Sequence, residues 1–122
     1  MNINEYLNAS ERTEKKFTSG EFLNNDQMEL LHGVMGLVTE SGELMDVVKK
    51  NLIYNKDVDL VNVREELGDI MWYWALVCRL YGWSPEEVMR INIDKLKHRY
   101  PEKFSETRAL NRDIIGERDI IE

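Results

Sequence analysis

The sequence predicts an all-α protein, a single domain of the four-helix-bundle type that associates into an oligomer. Three observations lead there. Apolar residues recur at spacings of three and four, no β-branched alternating run bounded by hairpin signals occurs, and the chain holds only two prolines, Pro85 and Pro101. At 122 residues, with 43% hydrophobic and 32% charged side chains, it is long enough for one core and too apolar for wholesale disorder. Apolar side chains on more than one helix face, Trp72 to Trp74 included, leave surface for a second copy.

The first helix is expected over Ile3 to Phe17, followed by a polar connection through Thr18-Ser19-Gly20 and Asn24-Asn25-Asp26. Asp26 is the expected N-cap of a long amphipathic helix over Gln27 to Asn51, whose stripe runs through Leu30, Leu31, Val34, Leu37, Val38, Leu44, Val47 and Val48. Tyr54 to Asp59 reads as a loop. A third helix covers Leu60 to Tyr81 and stops at Gly82, which suits a left-handed C-terminal residue. Ser84 then caps a fourth helix reaching about His98, with Pro85 at its first position and Glu87 closing a capping box. Pro101 ends it. The remainder, Ser105 to Glu122, is a charged tail in which Arg112-Asp113-Ile114-Ile115 is echoed by Arg118-Asp119-Ile120-Ile121, too briefly for a solenoid.

Charge and composition narrow the function. A formal charge of −7 opposes nucleic-acid and anionic-membrane partners, so an anionic ligand would call for a metal ion as mediator. The apolar stretch Ile70 to Leu80 is far shorter than the ~20 residues of a membrane span. The polar N-terminal residues lack an apolar export core, so the expected location is the cytoplasm. The single cysteine, Cys78, is expected to be a buried filler.

The chemically informative residues sit on the two central helices. Glu40 and Glu43 are three apart, and Glu66 and Asp69 repeat that spacing, so each pair shares a helix face. Two such helices packed antiparallel can aim four hard oxygen ligands at one point, as Mg²⁺ requires, with Mn²⁺ able to substitute. Acids so spaced are also common on a solvated face. Here Glu40 borders Leu37 and Leu44 and Asp69 borders Ile70 and Met71, so the carboxylates adjoin the apolar stripe and call for a partner. Gly42 and Gly68 each precede the second acid of a pair and are expected to mark a close approach of backbone or ligand. Lys95 and Arg99, four apart, can hold phosphate oxygens or simply complement a helix end, and Lys49 and Lys50 are open to the same two readings. Trp72, three after Asp69, is the best placed of its aromatic run to stack on a base. His32 completes an E-x-x-H spacing with Glu29, but a di-iron bundle needs two copies and no second one occurs.

Gly36-Leu37-Val38-Thr39-Glu40-Ser41-Gly42-Glu43, followed by Glu65-Glu66-Leu67-Gly68-Asp69-Ile70-Met71-Trp72-Tyr73, resembles the E-x-x-E and E-x-x-D motifs of the MazG-like nucleoside triphosphate pyrophosphohydrolases. The stretch Asn92 to Phe104 is similar to the family's N-x-x-K-L-x-x-R-Y-P-x-x-F segment, and Glu5-Tyr6 and Arg12-Thr13 to the start of its short phage and bacterial members. This resemblance implies one domain over residues 1–104, with residues 105–122 as the appended tail. It implies hydrolysis of (d)NTP to (d)NMP and pyrophosphate, in nucleotide-pool sanitation or regulation, by a homodimer or homotetramer with sites between subunits. Glu40, Glu43, Glu66 and Asp69 would then be catalytic metal ligands, and Asn92, Lys95 and Arg99 would face the phosphates. Two alternatives stand beside this reading: phosphoribosyl-ATP pyrophosphohydrolase, and a non-catalytic helical dimer that binds nucleotide or protein.

Overall fold

A computed structural model describes residues 1–16 and 23–122. Its described residues form six helices and no strand: α1 (Ile3–Glu11), α2 (Asn25–Tyr54), α3 (Leu60–Tyr81), α4 (Pro85–Arg99), α5 (Glu106–Leu110) and α6 (Ile114–Ile121). The chain divides into two compact units, Met1–Trp83 and Ser84–Glu122. No described helix is long and apolar enough to cross a membrane.

In the first unit, α2 packs along α3, and α1 lies against α3. The α1 start is a capping box in which the Asn2 side chain accepts from the Glu5 N–H and Glu5 accepts from the Asn2 N–H. α1 ends at Glu11, earlier than expected, because Thr13 turns back to donate to the Ser10 carbonyl and Glu14 leaves the helical path to meet Arg79 of α3. The expected end at Phe17 and the Thr18-Ser19-Gly20 connection lie outside the described residues. α2 begins two residues before the expected start: Asn24, not Asp26, is the N-cap, since Gln27 at the third helical position returns its side chain to the Asn24 N–H. It runs on to Tyr54 and stops at Asn55, whose φ of 51° is left-handed. α3 matches its expected span and ends at Gly82, φ 66°.

Gly33 and Gly36 bring α2 close to α3. A Cβ on Gly33 would overlap Val77, and one on Gly36 would overlap the Tyr73 ring. Gly42 and Gly68, expected at the close approach, have open space where a Cβ would stand. The contact lies about two turns earlier along α2 because the Tyr73 ring needs the missing side chain there. The core holds Val47, Ala75, Leu76 and Cys78. Burial pushes the Cys78 thiol up from its ordinary pKa, as befits a filler. Part of the expected α2 stripe is not inside: Leu31, Val34, Val38 and Val48 are exposed, Val38 by 67%.

In the second unit, Ser84 accepts from the Glu87 N–H and Pro85 opens α4, while Glu87 faces Arg90 at 3.9 Å rather than closing the capping box. The charged tail is helical. α6 packs against α4 and is capped by Asp113, which accepts from the Gly116 N–H. α4 and both tail helices therefore belong to one compact unit.

Candidate active site

Of the four acids paired in the sequence, Glu66 and Asp69 of α3 come together with Glu40 of α2 across the helix pair, and Glu43 does not join them. Ligand oxygens of Glu40, Glu66 and Asp69 lie within 4.8 Å of one another, the group among the described residues able to hold a metal ion. Glu66 is buried, Glu40 half-buried and Asp69 exposed, so the cluster opens from the core to solvent. Burial raises the Glu66 carboxyl above the usual range first, and its hydrogen bond with Glu40 and the charges of Glu40, Asp69 and Glu43 raise it further. Glu43 lies outside the three-residue group and is exposed one turn along α2, though its charge reaches Glu66.

Beside the carboxylates is a cavity of about 400 Å³, lined by Glu40, Asp69, Trp72, Tyr73 and Thr13. Trp72 and Tyr73 meet edge to face, 4.9 Å apart and at 80°, so two rings form a corner next to two acids. Trp72 stands where the sequence puts it, three residues after Asp69 on the same face. Tyr73 and Thr13 are additions. Tyr73 could have been inferred from Gly36, which leaves room for its ring, whereas no sequence signal points to Thr13. Tyr6 also reaches this edge, its hydroxyl donating to the Gly68 carbonyl at 3.4 Å. Partial burial raises the Tyr6 pKa, and the Asp69 charge adds to the rise.

Asn92, Lys95 and Arg99 follow one another along α4, Asn92 exposed and Lys95 and Arg99 half-buried. Arg99 is engaged within its own unit. Its Nε and Nη2 donate to the two Glu117 carboxylate oxygens at 2.7 and 2.9 Å, and Arg112 donates to the same carboxylate at 2.6 Å. This fork holds Arg99 firmly protonated and keeps the Glu117 carboxyl far below the usual range. Glu117 had one sequence signal, an acid set among Ile114, Ile115, Ile120 and Ile121.

With this geometry in hand, the comparisons with known proteins point one way. The family model of the MazG nucleotide pyrophosphohydrolase domain matches residues 30–104. The chain belongs to this family. That MazG match covers α2 from Leu30 onward, all of α3 and the segment from Asn92 to Phe104. Gene 37 protein of Mycobacterium phage L5 is 41% identical to this MazG protein over an alignment of 78 residues that covers 57% of this chain and 65% of the phage protein. The chain thus spans just under two thirds of that relative. No solved structure matches the chain.

The donor set of this carboxylate cluster suits a hard divalent cation. All three donors are carboxylates, they bring like charges within a few ångströms, and burial followed by those neighbouring charges raises the carboxyl of the buried member.

Proposed function

We propose that the protein is a Mg²⁺-dependent nucleoside triphosphate pyrophosphohydrolase, consuming one water to convert (d)NTP into (d)NMP and pyrophosphate in nucleotide-pool sanitation or regulation. The observation that carries this reading is the juxtaposition of three convergent carboxylates with a cavity cornered by Trp72 and Tyr73. Glu40, Glu66 and Asp69 would hold the ion, with Glu43, exposed one turn along α2, as a fourth ligand. Mn²⁺ can substitute because it accepts the same oxygen donors. The bound ion supplies neutralised phosphate charge and an acidified water. Glu66 contributes fixed negative charge from inside the core, Trp72 offers its face to the base, and Asn92 and Lys95 donate to phosphate oxygens. Arg99 serves this arrangement by anchoring the end of α4 through Glu117.

The functional domain in this reading spans residues 1–104, and residues 105–122 are an appendage that stabilises α4. The enzyme works in the cytoplasm as a homodimer or homotetramer, and the exposed apolar side chains of α2 and α3, among them Val38, Met45, Leu52 and Leu67, supply the surface that association buries.

The test is a panel of ribo- and deoxyribonucleoside triphosphates, with phosphoribosyl-ATP included, incubated with the protein and Mg²⁺ while pyrophosphate and phosphate are measured. Pyrophosphate release that stops in EDTA supports the proposal. Activity on phosphoribosyl-ATP alone moves the protein to the biosynthetic alternative. Nucleotide binding without any product identifies a non-catalytic module.

A further inference from the structure

The cavity beside the acids has one wall from outside the α2–α3 pair. Thr13 follows α1, and its hydroxyl accepts a hydrogen bond from the Trp72 indole Nε1–H at 2.9 Å while donating to the Ser10 carbonyl at 3.2 Å. The next residue, Glu14, pairs with Arg79 at 2.7 Å, and both side chains are largely buried. Arg79 also donates to the Ser10 hydroxyl at 3.1 Å and to the Leu7 carbonyl. Trp72 and Arg79 are seven residues apart, two turns along one face of α3, so adjacent residues of the N-terminal segment grip both ends of that face.

The two grips differ in kind. The Glu14–Arg79 pair is buried and fastens the segment. The Thr13–Trp72 bond is solvent-accessible, where water could satisfy the indole N–H equally well, so its contribution to folding is small. What the bond does is fix the plane of a ring that lines the cavity next to Glu40 and Asp69. With the indole N–H tied, the ring cannot turn freely against the cavity, and a fixed ring plane is what stacking of a planar base requires.

We propose, on the basis of the pyrophosphohydrolase reading, that Thr13 is a positioning residue for nucleoside binding: its hydroxyl holds Trp72 in the stacking orientation, and the Glu14–Arg79 pair holds Thr13. Thr13→Val keeps the shape and loses the acceptor, so KM for nucleoside triphosphates rises by roughly five- to tenfold while kcat changes far less. Thr13→Ser keeps the hydroxyl and retains the wild-type KM. In a Trp72→Phe background, which has no N–H to hold, Thr13→Val adds no further loss. The Trp72 indole N–H resonance shifts in Thr13→Val and stays in place in Thr13→Ser. A wild-type KM in Thr13→Val with the indole resonance shifted overturns the proposal, as does a Thr13→Ser variant as impaired as Thr13→Val, or additive losses in the double variant. Thr13→Ser decides the matter even if the valine variant fails to fold. Absence of pyrophosphate release by the wild-type protein overturns the functional reading and this proposal together, whereas an active wild type with an indifferent Thr13 overturns this proposal alone.

Discussion

Glu66 in the N-terminal unit and Glu117 in the C-terminal unit are both buried, at 7% and 2% exposure, yet their surroundings are opposite. Glu66 faces Glu40 and Asp69, and its carboxyl is pushed up, by burial first and then by those acids. Glu117 sits in the fork of Arg99 and Arg112, and its carboxyl is pulled down. A buried acid whose charge is already balanced by guanidinium groups belongs to the architecture. One surrounded by other acids has no cationic side chain among the groups that shift it, and in the proposed function that charge is what a bound cation would balance.

The largest effect that could break this contrast comes from the acids themselves. Glu66→Gln or Asp69→Asn is expected to cut pyrophosphate release by about a thousandfold, the scale of losing a group that stabilises developing charge. The metal-free variant should melt no lower than the wild type, because a like charge has been relieved. Mg²⁺ should raise the melting temperature of the wild type but not of either variant, as expected for a ligand that binds only the folded state. Wild-type activity in either variant would dissolve the distinction between the two glutamates.

Glu117→Gln is expected to act in the opposite sense. It leaves Arg99 and Arg112 facing a neutral amide, so the C-terminal unit should lose several degrees of thermal stability, read most directly as faster hydrogen exchange in α4 and α6. Metal binding at Glu40, Glu66 and Asp69, followed by the Mg²⁺-induced shift in melting, should persist.

Acid titration in EDTA sharpens the comparison because the two shifts have opposite signs. Glu66 has a raised folded pKa, so its charged form weakens the N-terminal unit at neutral pH. That penalty is relieved as pH falls through the folded value toward the unfolded one, about 4.3. Glu117 has a depressed folded pKa, so its stabilising effect is complete above about 4.3 and drains away below it. Exchange protection in α2 and α3 should therefore rise between neutral pH and about 4.5, and protection in α6 should fall only below about 4. Parallel loss in both units over the same range would contradict the assignment.

The smallest effect belongs to Glu65. It adjoins Glu66 but points about 100° away around α3, and it is exposed. Glu65→Gln should retain most of the activity in the pyrophosphate assay. A loss as large as that of Glu66→Gln would make Glu65 the base that orients water.

Much of this molecule can be read along the chain, since it rests on interactions between residues three or four apart. The cap at Ser84, the stop at Gly82, the span of α3 and the shared face of Glu66 and Asp69 are of that kind. Local rules also contain the information that Asn24 and Gln27 form the cap of α2, although Asp26 competes for that place by the same rules. Other features depended on groups far apart in sequence. Gly33 and Gly36, not Gly42 and Gly68, mark the close approach because Tyr73 lies across α2 at that level. α1 stops at Glu11 because Arg79, on another helix, draws Glu14 away. Thr13 enters the cavity wall through a bond spanning 59 residues, and Arg99 meets Glu117 through one spanning 18. Periodicity shows which face of a helix a side chain occupies. Only the packed structure decides what stands opposite that face, and for a buried carboxylate the partner opposite separates a strut from a site.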